Sequence, residues 1–224
     1  WVPVDDDGTL HVEDFIKTLT SRTKMVAITH MSNALGTVVP VKEIIKIAHE
    51  RGIPVLVDGS QAAVHMPVDV QDIGCDFYAF SAHKLYGPTG IGCLWGRYDV
   101  LDAMPPYQGG GAMIKHVTYA GTEYEEVPIK FEAGTPHIAG AAGLEAAINW
   151  FTQYDLEALD EHERQEDDQR GQRAGDDRGR HLGSAVDRRV DDIRVRYQWR
   201  KKTTYVAVIV SALVVGRIWF QALD

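Results

Sequence analysis

Short apolar runs alternate with amphipathic segments over about the first 160 residues. His11 to Thr20 spaces Val12, Phe15, Ile16 and Leu19 onto one face, which predicts a short helix. Lys24 to Thr29 (KMVAIT) reads as a buried strand. Val41 to Arg51 reads as a helix that turns Ile44, Ile45, Ile47 and Ala48 inward and stops at Gly52. Pro54 to Val57 (PVLV) is a further apolar strand ending at Asp58, and a short helix is expected through Gln61, Ala62 and Ala63. Phe77 to Phe80 (FYAF) predicts a strand running into Ser81-Ala82-His83-Lys84. The turn Gly87-Pro88-Thr89-Gly90 leads to another strand, Ile91 to Trp95. A long helix is expected from Ala139 into the 160s. Strands apolar throughout and separated by helices predict an α/β fold, with a mostly parallel sheet covered by helices on both faces.

The pattern changes after Glu163. From Arg164 to Lys202 only nine of 39 residues are hydrophobic, and the basic residues switch from mostly Lys to mostly Arg. Such a stretch can hardly bury enough apolar surface to offset its ordering entropy. Its 12 basic and 8 acidic residues alternate, which favours a solvated or disordered tail over a basic arm for nucleic acid. A shift of reading frame near Gln165 is a third reading. The expected organisation is one domain over 1–163 and an Arg/Asp-rich tail over 164–224. Within that tail the apolar run 205–216 is expected to be a core or edge strand. About 12 residues ending at Arg217 are too few for a membrane span, which needs roughly 20.

Composition narrows the partners. The 224 residues are 45% hydrophobic with a net charge of −9, so neither nucleic acid nor an anionic membrane is an expected partner. Two cysteines cannot form a disulfide framework, and no leader is visible in WVPVDDDGTL, so the cytoplasm is the expected compartment. The opening Trp1-Val2-Pro3-Val4 reads as a strand already under way, hence as a start inside a domain.

Ligands of open parallel sheets sit at the carboxyl ends of the strands. Three such ends carry polar groups: Thr29-His30-Met31-Ser32-Asn33, Asp58-Gly59-Ser60-Gln61 and Ser81-Ala82-His83-Lys84. A lysine beside an apolar strand is costly unless it is paired, neutral or covalently used. An amine of that kind can bond a carbonyl, and a nearby carboxylate can hold a pyridine nitrogen protonated. A plain Asp58–Lys84 ion pair with ordinary loops around it satisfies the same spacing. His30, His65, His83, His116, His137 and His162 show no zinc-type spacing, so no metal is expected and these read as ordinary histidines. GPTGIG lacks the Gly-Lys-Ser/Thr ending of a nucleotide-binding loop.

The segment VLVDGSQAAVHMPVDVQDIGCDFYAFSAHKLYGPTGIGCLWG, Val55 to Gly96, resembles class V aminotransferase-fold enzymes that use pyridoxal 5′-phosphate. It is most similar to the SufS-like cysteine desulfurases and selenocysteine lyases. THMSNALGTVVPVKEI, MPPYQGGGAMI and FEAGTPHIAGAAGLEAAINW are similar to the same group, so the resemblance runs from Trp1 to about Glu163. It implies an incomplete fold-type-I large domain in which Lys84 bonds the cofactor aldehyde. It further implies that Asp58 pairs with the pyridinium nitrogen, that Gln61 meets the phenolic oxygen, and that Asn33 lies beside the same ring edge. Ser81 and His83 would bind the phosphate. Thr135 would reach the phosphate of a neighbouring subunit, which implies a homodimer, and Gly109-Gly110-Gly111 matches a glycine-rich stretch near the site. The implied reaction takes sulfur from L-cysteine, or selenium from L-selenocysteine, and leaves L-alanine. A sulfur-acceptor protein and iron–sulfur cluster assembly complete the implied role.

The sequence departs from that family in two respects: the N-terminal part of its large domain, with the phosphate-binding Gly/Thr loop and the aromatic-type residue that stacks on the ring, is missing, and so is its C-terminal cysteine motif. The Arg-x-Gly-His-His-Cys run that carries the persulfide cysteine is absent, and with it the arginine for the substrate carboxylate. Cys75 and Cys93 read as structural thiols. This chain by itself is therefore expected to be inactive as a desulfurase. An epimerase- or kynureninase-like class V enzyme, or a non-catalytic truncated subunit, are the alternative readings.

Overall fold

The computed structural model describes residues 1–155, 158–159, 161–163, 165 and 205–211. These form two compact units, divided between Cys75 and Asp76, and the described residues from Thr152 up to 165 belong to the first. The expected tail of 164–224 lies outside the described residues apart from Gln165 and 205–211.

The first unit is built on a parallel strand pair. Helix α1 (Val12–Thr18) precedes strand β1 (Val26–Thr29), and helix α2 (Val41–His49) crosses over to β2 (Val55–Asp58). Short helices α3 (Ala62–His65) and α4 (Val70–Ile73) follow. The register sets Val26 beside Val55 and Thr29 beside Asp58, so both strands end together. Val41, Ile44, Ile45 and Ala48 of α2 are buried, which follows from their spacing on one helical face. Truncating Ile44, fully buried, to alanine would cost about 2–5 kcal/mol. Gly52 ends the α2 segment at φ +68°, where its N–H closes on His49 O at 2.9 Å. A side chain there would be strained.

Two expectations for this unit need correction. On α1 only Phe15 is buried, and Ile16 faces solvent, because a helix of seven residues turns too little surface toward the core. Strand β1 is not buried throughout: Ala27 and Thr29 are exposed, whereas Val55, Leu56 and Val57 of β2 are buried. Helix α4 was not expected. It is started by the Asp69 side chain, which accepts from the N–H groups of Gln71 and Asp72.

The second unit opens with β3 (Phe77–Ser81), a single 3₁₀ turn over Ala82–Lys84, and β4 (Ile91–Arg97). Helix α5 (Tyr98–Ala103), a hairpin of β5 (Ile114–Thr118) and β6 (Gly121–Tyr124), and α6 (Ile138–Phe151) follow, and β7 (Tyr205–Ser211) pairs on β4. The short connection after β3 leaves no room for a crossover, so β4 runs antiparallel to β3 with Phe77 opposite Gly96. Strand β7 is also antiparallel to β4; it covers 205–211 of the run 205–216 read as a strand, and 212–216 lie outside the described residues. The α/β class holds, with the parallel arrangement carried by β1 and β2. Ala82, Ile91 and Leu144 form the core beneath the 3₁₀ turn, with Ala141 and Ile148 packed on it. Helix α6 ends at Phe151, short of the expected 160s. The Thr152–Asp155 segment interrupts it, and helical backbone resumes at 158–159 and 161–163.

Candidate functional site

In the first unit the parallel register brings the polar segments after β1 and β2 to one edge. The N–H of His30 donates to Asp58 O at 2.8 Å, and the N–H of Val39 donates to His30 O at 2.9 Å. Asp58 is exposed, and its Oδ1 accepts from the Ser60 N–H at 2.9 Å. Among the described residues no donor reaches its Oδ2. Gln61, half-buried, stands at the N-cap of α3, and its amide lies 2.9 Å from His65 Nε2. Asn33 sits exposed on the turn closed by Ser32, Gly36 and Thr37, three residues beyond His30. The first unit thus assembles Asp58 and Gln61 on one strand–loop–helix segment, with Asn33 on the neighbouring turn.

In the second unit the apolar strand β3 delivers Ser81, His83 and Lys84 around one turn. Ser81 and Lys84 are half-buried, and His83 is exposed. Ala82, fully buried, anchors that turn: its carbonyl accepts from the N–H groups of Leu85 and Gly87, each at 2.9 Å. A Cβ on Gly87 would lie 3.0 Å from Ala82 O, so any larger residue would crowd the backbone behind Lys84. Helix α6 backs the following turn, where a Cβ on Gly143 would lie 3.0 Å from Pro88 Cγ. Thr135 is exposed on the loop before α6. The N–H of Gly134 donates to Gly111 O at 2.9 Å, and Gly110 lies against Ala133 and Gly134. The triple glycine therefore shapes the loop that presents Thr135.

Sequence reasoning passed over three residues. His30 is 6% exposed, and burial, helped by the nearby Lys42 charge, lowers its pKa to about 4. It is a neutral ring at the end of β1, and its place directly after an apolar run was the available signal. His65 and Glu163 join Gln61 in a chain, with His65 Nδ1 3.1 Å from Glu163 Oε2. The four-residue spacing of Gln61 and His65 pointed to half of it. The cysteines behave as expected: Cys75 is buried, and burial pushes the Cys93 thiol up to about 12. Among the described residues no His/Cys/Asp/Glu group could hold a metal ion, and no helix is long and apolar enough to cross a membrane.

The profile of the Aminotransferase class-V family matches residues 1–186. A cysteine desulfurase of Dickeya dadantii is 52% identical over 163 residues, which cover 72% of this chain and 40% of that protein. One of Haloferax volcanii is 49% identical over 73% of this chain and 38% of its own length. The chain thus spans about 40% of the length of these relatives. Among solved structures, the cysteine desulfurase CsdA of Escherichia coli superposes with a TM-score of 0.74 at 41% identity. That match covers 79% of this chain and 44% of CsdA. The apo cysteine desulfurase of Thermococcus onnurineus gives 0.72 at 37% identity, over 82% and 48%.

Proposed function

The chain belongs to the class-V aminotransferase family, and on that footing we propose that it is part of a pyridoxal-phosphate-dependent cysteine desulfurase. What carries the proposal is the 52% identity over 163 residues, 72% of this chain, with a protein of that name, and its candidate cofactor groups are Asp58 at the end of β2 and Lys84 in the turn after β3.

The donor set suits the cofactor. Asp58 has one carboxylate oxygen fixed by Ser60 and the other without a donor among the described residues, as a partner for a pyridinium N–H requires. Gln61 offers amide N–H groups for a phenolic oxygen. Ser81 and His83, on the turn with Lys84, offer a hydroxyl and an imidazole for a phosphate. When bound, pyridoxal phosphate supplies an aldehyde and an electron-withdrawing ring that stabilises negative charge at the substrate α-carbon. Lys84 Nζ would hold that aldehyde and would carry a proton to or from the substrate. Asp58 would keep the ring nitrogen charged.

The same proposal takes L-cysteine or L-selenocysteine as substrate and a sulfur-acceptor protein in iron–sulfur cluster assembly as recipient. It includes a cytoplasmic homodimer in which Thr135 and Asn33 contact cofactor. The persulfide cysteine motif is not among these 224 residues, so this polypeptide is expected to bind cofactor without releasing alanine from cysteine.

Borohydride reduction after incubation with pyridoxal phosphate, followed by peptide mass spectrometry, tests the reading. A pyridoxyl group on Lys84, lost in Lys84→Ala together with the visible absorbance, is expected. Labelling spread over surface lysines and unchanged in Lys84→Ala overturns it.

A further inference from the structure

His65 faces Gln61 on one side and Glu163 on the other. Its Nε2 lies 2.9 Å from Gln61 Nε2, and its Nδ1 lies 3.1 Å from Glu163 Oε2. A carboxylate only accepts, so Nδ1 must carry a proton. In the neutral ring Nε2 is then an acceptor, and only the amide N–H of Gln61 satisfies it. The amide orientation follows from a residue 98 positions away from His65. Gln61 stands at the N-cap of α3, four residues before His65. Without an acceptor at position 65 the hydrogen bond that draws the Gln61 NH₂ toward His65 is lost.

We propose that His65, held in its Nδ1–H form by Glu163, is a positioning residue that aims the Gln61 N–H edge at the phenolic oxygen of the bound cofactor. The inference rests on the role given to Gln61 above and adds the pair that sets its orientation. The two contacts do not act through stability. The His65 and Glu163 side chains are 29% and 52% exposed, where an ion pair adds little to folding. Their effect lies in which atom of Gln61 points outward. A donor at the phenolic oxygen favours its ionised form, which shifts the bound cofactor's absorbance from the near ultraviolet to the visible.

Two measurements on the 224-residue chain test this. Nitrogen-15 spectra at pH 8, without cofactor, are expected to show His65 as the Nδ1–H tautomer and to lose that bias in Glu163→Leu. An Nε2–H or doubly protonated ring overturns the proposal. With pyridoxal phosphate bound, His65→Leu is expected to lower the ratio of visible to near-ultraviolet absorbance by about two- to tenfold, the worth of one hydrogen bond. His65→Gln, which returns an acceptor near Nε2, is expected to restore it. In a Gln61→Leu background the His65→Leu change is expected to vanish. An unmoved ratio in His65→Leu, or a change of equal size without Gln61, overturns the positioning role. If the parent chain binds no cofactor, the functional reading fails instead, while the tautomer measurement still decides the His65–Gln61 relation.

Discussion

The backbone N–H of His30 donates to the carbonyl oxygen of Asp58 at 2.8 Å, so the residue that leaves β1 is tied to the last residue of β2. The bond extends the parallel ladder by one step, past the Thr29–Asp58 register pair. It also draws the His30 ring into the interior, where it stays neutral.

That burial makes a pH prediction. The imidazole titrates near 6.5 when unfolded and at about 4 in the fold. Above pH 6.5 both states are neutral, and stability is complete. As pH falls from 6.5 toward 4 the unfolded chain takes up a proton that the fold refuses, and stability drops by on the order of 2–4 kcal/mol. Urea midpoints at pH 7.5 and 4.5 are expected to differ less in His30→Gln than in the parent. Equal differences would show that His30 does not titrate this way.

Asp58→Asn separates cofactor binding from folding. The asparagine Oδ1 still accepts from the Ser60 N–H, so the thermal midpoint of the cofactor-free chain is expected to stay within a few degrees. The charged partner of the ring nitrogen is lost, which predicts a rise in the pyridoxal phosphate Kd of about 10- to 100-fold. Fluorescence titration reads the Kd, and an unchanged value would remove Asp58 from the site.

Arg97 clamps the base of the β3–β4 pair. Its Nη1 lies 3.0 Å from Oδ1 of Asp76, which is 3% exposed, and its Nη2 lies 2.5 Å from the exposed Asp99. Losing Arg97 removes this partner from a buried carboxylate, although Arg97 itself is 41% exposed and water can follow. Arg97→Ala is expected to cost about 1–3 kcal/mol in urea denaturation, and Asp99→Ala under about 1 kcal/mol. Equal costs would show that the buried half of the clamp carries no special weight.

The two thiols are expected to be inert in the native chain. Cys75 is 1% exposed, and the Cys93 thiol, pushed up to about 12, is almost wholly protonated at pH 8. Its labelling by a disulfide reagent should run about a thousandfold slower than in the denatured chain. Fast native labelling of Cys93 would reopen it as a nucleophile.

The apolar runs of β2 and β3 and the polar residues that end them were legible because a buried strand writes its burial into consecutive positions. Lys84 and Asp58 stood out for the same reason, each being a charge set against such a run. Ile16 misled because periodicity reports a face without saying how much of it a neighbour covers.

The local pattern of side chains thus determined where the strands lie and which residues cap them. The tertiary structure alone decided that β4 turns back antiparallel, that His30 is buried and uncharged, and that Glu163 comes within 3.1 Å of His65. Those three depend on groups brought together by chain folding. Desolvation and hydrogen-bond partnership are properties of a place in space, which no window of neighbouring residues records.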